Sequence, residues 1–229
     1  MQLSPRLLKI ASLVPKCHTI ADVGTDHGYI PLVCIDRGIA SHAIAMDINP
    51  MPLKRAKDNF VKHGYMHQAQ FRLSDGLAQL KSGEADVIVI AGMGGPLICD
   101  IIKNGAHAID DNTLLLLQPM IAPIELRSFL FANGYRVCDE YVVREDNKYY
   151  NIMAVRKGEA QPTDELIYIG ANLAANSTDT IGDYLDYKIR VCQGIIEGHS
   201  RSACPDAEAI EKFSHELAIY QSCKKELTK

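Results

Sequence analysis

The sequence predicts a doubly wound α/β fold, in which helices cover both faces of a mostly parallel seven-stranded sheet. Two observations predict it. Five short apolar runs alternate with segments of helical spacing, as in successive strand–helix units. Two longer runs of β-branched and aromatic residues follow, separated by the polar stretch 144–148, a pattern typical of a hairpin. The sheet is therefore expected to end in an antiparallel edge.

Each element follows from a local pattern. The first helix, 5–14, has apolar residues at helical spacing behind Ser4 and Pro5, which suit a helix start. The fourth strand, 86–90, is apolar on both faces, as expected of a central parallel strand. Later helices are expected from 32–35, over the basic stretch 54–62, through Ile102 and over 124–131. The predicted strands are 20–23, 43–46, 70–73, 86–90, 113–117, 135–143 and 149–155.

The composition changes at Gly158 and divides the chain into two predicted domains, 1–157 and 158–229. Within the second domain, apolar residues repeat every three or four positions over 181–195 and again over 210–220. These stripes predict two amphipathic helices joined by a turn. Charge also differs, because the first domain has 17 Lys and Arg against 16 Asp and Glu, whereas the second has 7 against 12.

Composition and cysteine content suit a protein of the cytoplasm. The formal net charge of the 229-residue chain is −4, so no overall basic charge points to nucleic acid. The seven cysteines form no C-x-x-C pair, which indicates reduced thiols rather than a disulfide framework or a zinc site. We expect no signal peptide and no membrane span, because the apolar runs are short and no basic patch leads into one. We also expect no bound metal, because the spacing of the candidate ligands does not support a metal site.

The turn between the first strand and the next helix is the strongest candidate for a ligand loop. Gly24 and Gly28 can adopt positive φ there, which lets a ligand lie against bare backbone. Asp22, Asp26 and His27 add polar side chains, and the amides of the following helix would face the ligand. The loop matches neither G-x-G-x-x-G nor G-x-x-x-x-G-K-[ST], so a pyrophosphate cradle is not indicated.

Three further strand ends, at 47, 75–76 and 92–95, could complete one ligand site. Ligands bind beyond the carboxyl ends of parallel strands in such a sheet. Asp47 lies 23 residues after Gly24, where a carboxylate can accept both hydroxyls of a ribose. The pair 75–76 can meet the exocyclic amine of adenine, and the loop can take an amino acid. Adenine, ribose and amino acid together describe S-adenosylmethionine. The cofactor-binding candidates are Asp22, Gly24, Asp26, His27, Gly28, Asp47, Ile48, Asp75, Gly76, Gly92, Met93 and Gly94.

Other interpretations use the same residues. A dinucleotide oxidoreductase would share the ribose carboxylate, although the fingerprint glycines are not in register. Asp22, Asp26, His27 and Asp47 could form a metal site, but their spacing does not support one. His27 could instead be a hydrogen-bonded structural residue. A non-catalytic nucleotide-binding module or a small-molecule methyltransferase would keep the same fold.

Three motifs together resemble those of the bacterial tRNA (adenine-22-N1)-methyltransferases. They are D-x-G-T-D-H-G-Y-I-P at 22–31, A-G-M-G-G at 91–95 and Q-P at 118–119, with G-E-A-D at 83–86 leading into the fourth strand. The resemblance covers the whole chain and implies a class I, Rossmann-like methyltransferase fold. It also implies S-adenosylmethionine as donor, S-adenosylhomocysteine as product and tRNA as acceptor. The chain departs from the family pattern at Met120, where members often have Asn.

The resemblance also implies residue roles. Gly24 and 26–28 would line the methionine end, Asp47 the ribose, 75–76 the adenine, and 92–94 the meeting point of donor and acceptor. N1 of adenine has a lone pair, so positioning rather than a strong base would supply most of the acceleration. The catalytic candidates are Asp26, Tyr29 and Met93, and the substrate-binding candidates are Arg6, Lys9, Tyr29, Gln118 and Pro119.

Recognition of tRNA is expected to depend on shape and phosphates, and the target base must leave its pairing partner before transfer. The two C-terminal helices could embrace tRNA or mediate self-association, in a protein that is a monomer or weak homodimer. The candidate phosphate contacts are Arg6, Lys9, Lys54, Arg55, Arg127 and Arg144.

Overall fold

The computed structural model describes residues 3–172, 176–202 and 204–227. The strands are β1 Cys17–Val23, β2 Ala40–Asp47, β3 Ala69–Leu73, β4 Val87–Met93, β5 Leu114–Pro119, β6 Tyr135–Glu145 and β7 Lys148–Lys157. The α-helices are α1 Pro5–Leu13, α2 Tyr29–Asp36, α3 Pro50–Lys62, α4 Gly95–Asn104, α5 Pro123–Ala132, α6 Asp164–Tyr168, α7 Thr178–Ser200 and α8 Ala207–Leu227. Short 3-10 turns cover Met66–Gln68 and Ala106–Ala108.

All seven strands form one sheet, in the order β3-β2-β1-β4-β5-β7-β6. The strands from β3 to β5 pair in parallel, whereas β7 is antiparallel to both β5 and β6. The predicted doubly wound sheet with an antiparallel edge is thereby confirmed. The strand order reverses between β1 and β4, and ligands of such sheets bind in the crevice at this reversal.

The hairpin between β6 and β7 has a shorter loop than predicted. Pairing continues to Glu145 and Lys148, which leaves only Asp146 and Asn147 in the turn. Both have positive φ, 49° and 62°, as a two-residue hairpin turn of the primed kind requires. Asp and Asn tolerate this conformation better than most residues, so the turn chemistry allows the ladder to extend.

Strands β4 and β5 both run past their predicted ends. Gln118 pairs with Ala91 and Pro119 with Met93, with a register irregularity between Ala91 and Met93. The apolar pattern stops at residue 117, so it did not reveal that this polar residue and proline still belong to the sheet. The extension brings the Q-P motif beside the A-G-M-G-G motif.

Strand β4 divides the core into two layers. Ile88 and Ile90 belong to the cluster on one face of the sheet, and Val87 and Val89 belong to the cluster on the other. All four side chains are essentially inaccessible to solvent. This two-sided burial explains why the run reads as continuously apolar, as predicted for a central parallel strand.

The helices α7 and α8 pack against each other and against the hairpin. Their shared cluster contains several residues of each predicted stripe, including Tyr184 and Tyr220, together with Val142 from β6. The division at residue 158 stays a prediction, and both predicted ranges include residues outside the described ones. Within the described part of the chain, no helix is long and apolar enough to cross a membrane.

Arg127 corrects one prediction, because it is fully buried in α5 and cannot contact a phosphate. Its guanidinium donates to both carboxylate oxygens of Glu140 at 2.9 and 2.6 Å. It also donates to the backbone carbonyl of Ile167 at 2.8 Å. The sequence pattern gave no sign of this, since an arginine on a helix is normally exposed. The arginine instead ties α5 and β6 to the C-terminal segment that contains α6.

Candidate active site

A cleft of ≈ 300 Å³ lies at the carboxyl ends of β1 and β4, where the strand order reverses. It therefore occupies the position expected for a ligand site in this fold. Most of the predicted loop residues line it, together with residues from α1 and from the end of β4. The lining residues are Arg6, Leu7, Asp22, Gly24, Thr25, Asp26, His27, Gly28, Tyr29, Ile30, Ala91 and Gly92.

The loop after β1 is fixed by its backbone and by two glycines. The N–H groups of Gly24 and Thr25 both donate to the carbonyl of Met46, at 2.8 and 2.9 Å. Gly24 has φ of 73°, and a Cβ at this position would lie 2.0 Å from Met93 Cε. Gly28 has φ of 63° and directly precedes α2, so the amides of the helix start face the cleft. The loop thus forms a cradle in which a side chain at Gly24 would displace the end of the Met93 side chain.

Asp22 is the buried acid of the cleft. It is the penultimate residue of β1 and is only 7% exposed. Burial raises the pKa of Asp22 to about 6. A cationic ligand group placed beside this carboxylate would favour its ionised form, so the site is suited to an ammonium.

Asp26 lies at the exposed side of the loop and is held by Arg55 of α3. The Arg55 Nε and Nη2 atoms both donate to Asp26 Oδ1, the former at 3.1 Å. His27 Nε2 lies 3.5 Å from Asp26 Oδ2, and the His27 ring stacks on Tyr29 with centroids 4.9 Å apart. Asn59 fixes the same loop, because its Nδ2 donates to the His27 carbonyl at 2.9 Å. Helix α3 thus orients the carboxylate and rings that face the cleft.

The segment 91–95, called the Gly92 turn below, ends β4 on the opposite side of the cleft. Gly92 has φ of 77° and Gly95 begins α4. Two backbone hydrogen bonds join the turn to the loop after β5: Met120 N donates to Met93 O at 2.7 Å, and Gly95 N donates to Ile121 O at 3.0 Å. The position of the turn is therefore determined by β5 as well as by β4.

Gln118 connects the Gly92 turn to helix α1. Its Oε1 accepts from Gly92 N at 3.1 Å and from Arg6 Nη1 at 2.5 Å, and its Nε2 donates to the Pro119 carbonyl at 2.7 Å. Arg6 is held in turn by Glu145, whose Oε2 accepts from the Arg6 backbone N–H at 2.9 Å. Gln118 is completely buried, and both ends of its amide form hydrogen bonds inside the protein.

The other predicted substrate contacts lie away from the cleft lining. The Lys9 ammonium lies 3.9 Å from the centre of the Tyr141 ring, and Pro119 is buried in β5. Only Arg6 and Tyr29 of the substrate-binding candidates line the cleft itself. A contact between Lys9 and tRNA stays a prediction.

The predicted ribose and adenine residues lie on the adjacent strand ends. Ser74 N donates to the Asp47 carbonyl at 2.9 Å, which places the ends of β2 and β3 side by side. Ile48, beside Asp47, is 61% exposed. Asp75 and Gly76 line a separate cleft of ≈ 150 Å³ against α4.

The four residues weighed as a metal site do not form one. Across residues 3–172, 176–202 and 204–227, no group of three or more His, Cys, Asp or Glu side chains could hold a metal ion. Asp26 is occupied by Arg55, and Asp47 accepts from the backbone N–H of Asn49 at 2.7 Å.

Comparison with known proteins identifies the family. A model described as a methyltransferase domain matches residues 3–153. The tRNA (adenine(22)-N(1))-methyltransferase of Bacillus subtilis is 36% identical over 175 residues, which cover 76% of this chain and 72% of that protein. This chain belongs to that methyltransferase family. The resemblance inferred from the motifs is thereby confirmed.

Solved structures resemble this methyltransferase over nearly its full length. One is a Streptococcus pneumoniae protein, described as a candidate tRNA (m1A22) methyltransferase, in complex with S-adenosyl-L-methionine. It is 27% identical with a TM-score of 0.83, and the match covers 97% of this chain and 100% of that one. Another is M. capricolum TrmK in complex with S-adenosyl-homocysteine, 25% identical with a TM-score of 0.81 and coverage of 98% and 99%.

Several site features of the methyltransferase escaped sequence reasoning. The pairing of Asp26 with Arg55 joins residues 29 positions apart, and that of Arg6 with Glu145 joins residues 139 positions apart. No local pattern signals such contacts. Thr25 does lie inside a motif, so its position between two predicted site residues could have indicated it.

Proposed function

We propose that this methyltransferase transfers the methyl group of S-adenosylmethionine to N1 of adenine 22 in the D-arm of tRNA. The proposal rests mainly on the cleft in which the Asp22–Gly28 loop faces the Gly92 turn, at the point where the strand order reverses. Membership in a family whose B. subtilis relative bears this activity in its name supports the assignment. The related structures in complex with S-adenosylmethionine and S-adenosylhomocysteine support the donor.

The residues of the cleft suit the parts of that donor. Asp22 would receive the ammonium of its methionine end, while the amides at the start of α2 would receive the carboxylate. Asp47 would accept the ribose hydroxyls, and Ile48, 61% exposed beside it, would cover one face of the adenine ring. Asp75 and Gly76 would contact the exocyclic amine of that ring. Bound donor supplies an activated methyl group whose sulfonium charge is compatible with nearby carboxylates.

The acceptor adenine would meet the donor at the Gly92 turn. N1 uses its own lone pair, so the protein residues need to orient the base and exclude water rather than remove a proton first. Tyr29 and Met93 would pack on the base, and backbone carbonyls of the turn would accept from its exocyclic amine. Positive charge develops on the ring during transfer, and Asp26 is the nearby carboxylate that can stabilise it. The Asp26–Arg55 pair fixes where that carboxylate lies.

One predicted substrate residue acts differently in this proposal, whereas Arg6 keeps its predicted role. Gln118 is a positioning residue, because its amide holds the Gly92 turn and Arg6 rather than facing the cleft. Arg6 lines the cleft, so it would contact the phosphate backbone near the target nucleotide. A tRNA substrate would place the protein in the cytoplasm. Its state as monomer or weak homodimer, and any contact of α7 and α8 with tRNA, stay predictions.

The test is methyl transfer by the purified protein to tRNA lacking the modification, followed by base-resolved mapping. The proposal expects N1-methyladenine at position 22, with S-adenosylhomocysteine formed in equal amount. A matched tRNA with guanine at position 22 should not be methylated. Methylation of small molecules but not tRNA, or binding of a dinucleotide in place of S-adenosylmethionine, would contradict it.

A further inference from the structure

An exposed apolar ledge lies beside the Gly92 turn. It is formed by the side chains of Met120 and Ile121, which directly follow β5 and are 42% and 66% exposed. Exposed apolar side chains that lie together at the edge of a site can mark an interaction surface. The two residues play no part in the donor contacts proposed above.

The ledge is built as one unit with the Gly92 turn. The backbone N–H of Met120 and the carbonyl of Ile121 each bond to the turn, at 2.7 and 3.0 Å. Ile121 also lies against the turn, since its Cγ1 is 3.5 Å from the position of a Cβ on Gly94. Gln118 orients the other side chain, because its Nε2 approaches Met120 Sδ at 3.7 Å.

The backbone after the ledge is strained. Ala122 has φ of 57° and ψ of 48°, a left-handed conformation that disfavours residues with a Cβ. This conformation lets the loop approach α4 closely, because a Cβ on Gly95 would lie only 2.4 Å from the Ala122 carbonyl oxygen. The chain thus maintains an unfavourable conformation to hold this loop tightly against the turn, and strain of this kind concentrates at ligand sites.

We infer that the Met120–Ile121 ledge packs against the nucleobase next to the target adenine in the bound tRNA. This inference rests on the proposed function. The target's N1 lies on its pairing edge, so the base must leave its stack, and a neighbour then loses one stacking partner. An exposed apolar surface joined to the Gly92 turn can cover the face of that neighbour that the target base has left. Apolar side chains inserted beside unstacked bases stabilise distorted nucleic acids in the same way.

The connection between the ledge and the Gly92 turn favours RNA over a protein partner. The reacting atoms must reach the Gly92 turn, so any nucleotide delivered there has neighbours beside the ledge. Arg6, at the edge of the cleft, supplies a cation for the phosphates of the same strand. A second copy of the chain covering the ledge would instead block the approach to the turn.

The test compares the double variant Met120→Ala/Ile121→Ala with Val61→Ala. Val61 is a 58% exposed apolar residue of α3, and so is a matched control with no role in the site. The double substitution leaves both backbone hydrogen bonds to the turn available. We expect kcat/KM for tRNA to fall about tenfold in the double variant, as for loss of one base-stacking contact, whereas Val61→Ala should match the wild type. The affinity for S-adenosylmethionine should not change in either.

A fluorescence readout separates packing on RNA from a structural role. The base analogue 2-aminopurine, placed on one side or the other of the target in two tRNAs, brightens when it loses its stack. Wild-type protein should brighten one of them, and the double variant should do so less. Equal kcat/KM and equal fluorescence in the wild type and double variant would overturn the inference. So would a change in the sedimentation of the free protein with unchanged kinetics, since the ledge would then join two copies. If wild-type protein does not methylate tRNA, the proposed function itself fails.

Discussion

Replacing Gln118 by Met tests how the Gly92 turn is held in position. Methionine has a similar length and flexibility but cannot accept the hydrogen bonds from Gly92 N and Arg6 Nη1, which are 3.1 and 2.5 Å long. A neutral hydrogen bond contributes about 0.5–1.5 kcal/mol, and one to a charged group about 1.5–3 kcal/mol. The variant should therefore lose about 2–4 kcal/mol of unfolding free energy. At about 2–4 °C per kcal/mol for a domain of this size, Tm should fall by about 4–16 °C.

The loss of activity should be larger than stability alone explains. A turn displaced by about 1 Å can slow transfer by about 10²-fold. The assay is single-turnover methylation of tRNA under saturating conditions, at a temperature where both proteins are folded. Arg6→Met is the comparison, because it removes the charged bond and keeps the one from Gly92; its main effect should be a raised KM for tRNA. A Gln118→Met protein that is less stable but transfers at the wild-type rate would refute the positioning role.

Three further predictions concern stability and donor binding. Gly24→Ala should weaken stabilisation by S-adenosylmethionine in a thermal-shift titration, because the φ of 73° is unfavourable for alanine and the added Cβ would displace the end of the Met93 side chain. A thermal shift with S-adenosylmethionine as large as that of the wild type would contradict donor binding at this loop. Arg127→Met should lower the free energy of unfolding by about 3–5 kcal/mol, since it leaves the Glu140 carboxylate buried with no cation beside it; a loss below about 1 kcal/mol in urea unfolding would be inconsistent with that pair. For Asp22, whose pKa burial raises to about 6, the folded state retains a proton that the unfolded chain releases near pH 4. Its stabilising contribution is thus fully present below about pH 4 and is lost as the pH rises through about 6. Wild type should lose up to about 3 kcal/mol relative to Asp22→Asn over that interval in urea unfolding, and parallel pH profiles would contradict the shift.

Much of the fold could be predicted because strand and helix patterns are local. The apolar run of β4 was recognisable since both faces are buried, and the hairpin was recognisable from its composition. Boundaries were less accurate where pairing continues through polar residues, as at Gln118. The ladder there is determined by the neighbouring strand, which no local pattern reveals.

The candidate site was predictable where glycines and carboxylates end strands, and not where distant residues meet. The loop from Asp22 to Gly28 was located because glycines and carboxylates directly after a buried strand are typical of a ligand-binding turn. Arg127 was assigned wrongly because its partner Glu140 lies on another element, so its burial leaves no trace in the helix pattern. Likewise, the separate cleft of Asp75 depends on how α4 packs, which the sequence alone does not specify.

The identity of the modified atom tests the central claim most directly. Unmodified tRNA, incubated with the purified chain and isotopically labelled S-adenosylmethionine, can be digested and analysed by mass spectrometry with sequence mapping. We predict one labelled methyl group per tRNA, on N1 of adenine 22. Label on another atom or nucleotide, or no label on tRNA from a protein that binds the donor, would contradict it.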